Sequence, residues 1–141
     1  MAHIFNTAKV LLASGGLDWE NDTIKVLLVH TSDPAATCEF VDEITNEPTG
    51  TGNYARKTLT TVAPTDVSGT CKLDASDLTG EDAWVNLTAS TNPVVGLCVF
   101  KDVGADDGAN PLIAFIDFAD VTTNGGDLAI TWHSDGVLKI T

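Results

Sequence analysis

The chain is poor in basic residues. It has 7 lysines and arginines against 20 aspartates and glutamates, a formal net charge of −13 over 141 residues. A field of that sign repels phosphate backbones and anionic lipid, so neither direct nucleic-acid binding nor a membrane partner is expected. Long apolar runs are also lacking, and none approaches the ~20 residues that span a bilayer. Residues 1–7 have no basic patch and no long apolar core, so no secretory signal is expected there. Cysteine is scarce. Cys38, Cys71 and Cys98 form no C-x-x-C pair and leave one over, which points to a reducing compartment at synthesis. Cys98 sits in an apolar stretch and reads as a small buried hydrophobe. Whether Cys38 and Cys71 meet is open from sequence.

Catalytic signatures are missing too. There is no G-x-S-x-G, no H-E-x-x-H and no G-x-x-x-x-G-K-[ST]. His3, His30 and His133 are scattered and read as surface histidines. No catalytic residue, cofactor or metal is expected, and the chain is not expected to be an enzyme. Asp102, Asp106 and Asp107 lack the spacing and the closing Glu of a calcium loop. They read as a solvated turn, and so does the Asn124-Gly125-Gly126-Asp127 segment.

What is present is an ordinary hydrophobic share, 43%, arranged in short runs. The centre is residues 93–118. Two apolar runs, 94–100 and 112–118, flank a polar Gly-rich segment, 101–111. Each is one strand long, and neither alternates cleanly with polar residues. The expectation is a β-hairpin of strands covered on both faces, joined by a long acidic loop. Around it, residues 6–16 have helical spacing. Phe5, Ala8, Leu11 and Leu12 share a face, Asn6 or Thr7 caps the start, and Gly15-Gly16 stops it.

Residues 24–30 read as a strand with Ile24, Val26 and Leu28 on one face and Lys25, Leu27 and Val29 on the other. Residues 38–44 read as a short helix or an irregular excursion anchored by Phe40, Val41 and Ile44. Residues 45–53, with Pro48, Gly50 and Gly52, read as a loop. Further strands are expected at 54–62, 70–73, 83–87, 128–132 and 137–140, with a turn at 64–69 and a helical turn within 75–81. Ser134-Asp135-Gly136 makes a three-residue turn. The expectation is a mainly β domain, 1–141. Its architecture is an antiparallel β-sandwich or barrel of jelly-roll or Greek-key type, with about eight short strands and a short N-terminal helix.

The charge has a plain reading, solubility, and a sharper one, a surface meant for a basic partner or for cations. Trp19, Trp84 and Trp132 could stack on sugar rings, but Trp132 alternates with Leu128 and Ile130 and reads as a packing residue. Trp19 lies in a polar loop and is the better candidate for an exposed contact, although packing against the sheet is the simpler account.

A set of segments along the chain resembles a known family. They are Asn6-Thr7-Ala8-Lys9, residues 18–29, residues 52–59, Phe100-Lys101-Asp102, residues 111–117, residues 123–127, Trp132 and Gly136-Val137-Leu138. As a set and in this order they are similar to small virion structural proteins of tailed bacteriophages. These are fold residues, so the resemblance transfers architecture better than activity. It implies a capsid decoration (cement) protein on the outer capsid surface, or a fibre or receptor-binding subunit gripping host glycans through loops such as 101–111. For the first, the implied partner is the major capsid protein, and the implied assembly is a homo-oligomer, with a trimer favoured on a symmetric lattice. Assembly in the host cytoplasm needs no export. His3, Ile4 and Phe5 are the expected docking arm, because apolar residues at a terminus must be covered by something.

Overall fold

The structure is a computed structural model that describes residues 1–48, 52–104 and 106–140. Gly50 of the expected 45–53 loop lies outside the described residues, as does residue 105 of the hairpin loop. The elements in chain order are β1 (His3–Ile4), α1 (Asn6–Ser14), β2 (Ile24–His30), β3 (Lys57–Thr58), β4 (Thr61–Val67), β5 (Thr70–Ala75), β6 (Val94–Lys101), β7 (Leu112–Val121) and β8 (Leu138–Ile140). Among the described residues these eight strands form two antiparallel sheets, one of order β1-β7-β6-β2-β3 and one of order β4-β5-β8. Short 3-10 turns cover Val41–Glu43, Gly80–Asp82 and Asp107–Ala109.

The expected hairpin is the middle of the larger sheet. β6 is buried from Val94 to Phe100 and pairs with β7 on one side and β2 on the other. Its side chains divide between two cores. Val94, Leu97 and Val99 pack between the sheets, with Ile24, Val26 and Leu28 of β2. Val95, Cys98 and Phe100 pack on the outer face, with Leu27, Val29, Phe5, Val41 and Ile44. Burial on both faces explains the unbroken apolar run, and each such side chain contributes roughly 2 kcal/mol. The outer face is covered by the excursion around Val41–Glu43. That segment is fastened to the hairpin loop by Val41 N–H donating to the Asn110 carbonyl (3.1 Å) and Leu112 N–H donating to the Glu39 carbonyl (2.9 Å). Gly96 is required where β6 and β7 approach. A Cβ there meets the Ile116 carbonyl at 2.5 Å and the Phe115 ring at 2.6 Å.

Several expectations shift. The helix begins after Phe5, which occupies the cap position with no side-chain bond, rather than at an Asn6 or Thr7 cap. It ends as expected, at Gly15 in the left-handed region (φ 71°). The strand expected over 54–62 is split. β3 pairs with β2, and the chain then crosses to the other sheet as β4. The turn expected at 64–69 shrinks to Ser68-Gly69, both at positive φ (55° and 78°), the geometry of a two-residue hairpin turn. Pro64 lies inside β4, an edge strand, at a register irregularity between Val62 and Thr65, where no ladder donor is needed.

Residues 83–87 and 128–132 are not continuous strands. Leu78 pairs with Ile130 and Trp84 with Leu128. Between these bridges five residues on one side, 79–83, face one on the other, Ala129, and the surplus loops out through Gly80–Asp82. The three cysteines are free. Cys38 packs on the outer core that holds Cys98, while Cys71 is exposed on β5.

Candidate functional site

His3 and Ile4 pair with Phe115 and Ala114 as an edge strand of the larger sheet. The Phe5 N–H donates to the Ile113 carbonyl (3.0 Å), and its side chain is fully buried in the outer core. The His3 ring meets Phe5 edge-on, with centroids 4.8 Å apart, and lies 5.7 Å from Phe115. Trp19 is elsewhere, in the core between the sheets, 2% exposed. Its Nε1 donates to the Asp74 carbonyl at 2.8 Å, which ties the loop before β2 to β5. The first three residues are thus brought together and the fourth is not.

The acidic hairpin loop is held by cations of its own chain. Lys25 pairs with Asp102, whose carboxylate also accepts from the Gly104 N–H (2.9 Å). The Arg56 guanidinium donates to both oxygens of Asp107 (2.6 and 2.8 Å) and to both of Glu47 (2.8 and 2.6 Å), and lies 5.5 Å over the Phe100 ring. Glu47 also accepts from the Tyr54 hydroxyl (2.7 Å), which in turn accepts from the Leu28 N–H (3.1 Å). The hydrogen bonds from Arg56 hold the Asp107 carboxyl below its usual range, and those from Lys25 do the same for Asp102. Burial, reinforced by Glu47, pushes the Tyr54 hydroxyl up. No group of three or more potential ligands among the described residues converges as a metal site.

The open feature is on the opposite edge of the sandwich. Leu97, Ile116, Phe118, Val121, Leu128, Ile130, Trp132 and Val137 line an apolar groove of about 550 Å³, joined by Ala119, Ala129, Thr131, His133 and Gly136. Among the described lining residues, His133 is the one that is ionisable. The groove is an unclosed seam. On the β3–β4 side the chain runs from one sheet into the other, with Leu59 N–H on the Ile24 carbonyl and Ser76 N–H on the Thr60 carbonyl. On the β7–β8 side no strand makes that crossing among the described residues. Leu97, Leu128 and Val137 form a buried floor continuous with the core, and Ile116, Phe118 and Trp132 are half-buried at the rim.

No family model, curated protein or solved structure matches this chain. The groove's own chemistry therefore carries the functional reading. It suits apolar side chains, and β7 supplies backbone beside it. β1 pairs with β7 only at Ala114 and Phe115, so the edge opposite β6 has no strand partner from Ile116 to Val121 among the described residues. Sequence reasoning took 112–118 as strand interior and missed this rim. The signal was present: from Ile116 the run changes to apolar-acid-apolar alternation, the pattern of a half-exposed strand.

Proposed function

We propose that the protein is a structural subunit of a tailed-bacteriophage particle, a decoration (cement) protein on the outer surface of the capsid. It acts by binding the major capsid protein rather than by catalysis. The resemblance of its sequence segments supports the family. The observation that carries the role is the groove, an apolar face beside a free strand edge on an otherwise acidic domain, the form that a protein-docking surface takes. Repetition over the lattice converts modest contacts into firm retention, most effectively from a trimer, and binding to the assembled shell stabilises it by mass action.

The fibre reading grips host glycans through loops such as 101–111, and an exposed Trp19 would favour it. Trp19 is in the core with its indole N–H committed, and the partly exposed Trp132 faces an apolar groove. No observation favours that reading over the first. Quantitative mass spectrometry of purified particles tests the proposal. Copy number near that of the major capsid protein is expected. A small number matching tail components moves the assignment to a fibre, and absence from particles overturns it.

A further inference from the structure

We infer that the groove is a strand-addition site, filled by an extended segment of a partner protein in which apolar and basic residues alternate. The inference rests on reading the groove as the docking face. The backbone provides the first half of the argument. On its edge opposite β6, β7 has no strand partner from Ile116 to Val121 among the described residues, directly beside the groove. A strand laid along that edge has alternate side chains on one face, so half of them enter the seam above Leu97, Leu128 and Val137. Ile116 and Phe118 flank the entry on β7 and Ile130 and Trp132 on the facing segment.

Charge provides the second half. Asp117 and Asp120 are exposed on β7, and Asp135 is exposed beside His133 at the groove's end. Asp117 lies 3.1 Å from the terminal amine and Asp135 lies 3.5 Å from Lys139, while Asp120 has no ion-pair partner among the described residues. Among the described residues the lining contains no lysine or arginine. A second copy fits poorly, because joining two β7 edges sets Asp117 and Asp120 against the same acids of the other copy. The polar positions of the added strand are therefore basic.

The probe is a capped peptide of about eight residues, a common strand length, alternating valine and arginine. It is titrated into the full chain by calorimetry and by Trp132 fluorescence. Saturable binding that weakens with added salt is expected. Phe118→Asp, at a half-exposed position, is expected to cost at least about tenfold in Kd, with an unchanged Tm showing that the domain remains folded. Methylating alternate backbone amides of the peptide is expected to abolish binding in one of the two phases.

The inference is overturned by absence of saturable binding, or by equal binding of a valine–glutamate peptide. Full affinity in both methylated phases overturns it as well. So does a concentration-dependent dimer that Phe118→Asp dissociates, which makes a second copy the occupant. Failed peptide binding by a protein abundant in particles removes strand addition and leaves the virion role standing. Peptide binding by a protein absent from particles does the reverse.

Discussion

Arg56 holds two loops at once, through Glu47 on one side and Asp107 on the other. The Glu47 side chain is 6% exposed, so removing its cation leaves a buried charge without a partner. Arg56→Ala is expected to lower stability by about 3 kcal/mol in urea denaturation. Arg56→Lys recovers only part of this, because an ammonium lacks the planar fork that meets two carboxylates. The same site sets a pH dependence. The Asp107 and Asp102 carboxyls are held below their unfolded values by Arg56 and Lys25. Their contribution is therefore complete above the unfolded carboxylate pKa, about 4, and is lost as pH falls through the depressed folded values. Stability followed from about pH 5 downward should decline, with a shallower decline in Arg56→Ala. Identical curves for the two proteins would contradict the linkage.

At the scale of an element, β1 and the residue after it decide how the N-terminal segment is to be regarded. A free docking arm predicts that residues 1–5 are dispensable to folding. Here Phe5 fills the outer core between β1 and α1, with no exposed surface. Phe5→Ala is expected to cost about 3 kcal/mol, measured by thermal or chemical denaturation. Unchanged stability would mean that β1 detaches from β7 in solution, which is what an arm requires. Phe5 and β1 also explain why a helix with little apolar face stays in place. Of the four residues on its expected face, Phe5 and Ala8 are buried, Leu11 is half-buried and Leu12 is 36% exposed. The docking of α1 therefore leans on the strand before it.

Across the whole molecule, the few bases are mostly spent inside. Lys25, Arg56, Lys72, Lys101 and Lys139 each pair with an acid of the same chain. The remaining acids face solvent and repel one another, which works against compactness. Raising sodium chloride from low ionic strength to about 0.15 M shortens the reach of that repulsion to roughly 8 Å. The Tm is expected to rise by a few degrees, since the ion pairs are shorter than this screening distance and lose less. A fall in Tm would show that the pairs outweigh the repulsion. The same surplus of acid makes a basic partner the favoured one for the open seam.

Local chemistry was sufficient for some of this. β2 coincides with the residues expected from alternation, Ile24–His30, and β6 runs one residue past its apolar run. Gly15 ends α1 where a left-handed residue is needed. These features are set by periodicity and by φ preferences within a few residues, so the sequence determines them alone.

Pairing and burial were decided only when distant segments met. Trp19, in a polar loop, is buried because its indole finds the Asp74 carbonyl 55 positions away. Residues 83–87 read as a strand in the sequence, yet they meet 128–132 at one bridge, Trp84 to Leu128, with Gly80–Asp82 looping out before it. The groove belongs to the same class. Ile116 follows directly on the buried run Leu112–Phe115, and Phe118 lies two residues further on. They reach solvent because β1 stops short on the edge of β7 and, among the described residues, no strand closes the seam toward β8. Which edge of a sheet remains open is a property of the assembled sheets, not of any one strand's sequence.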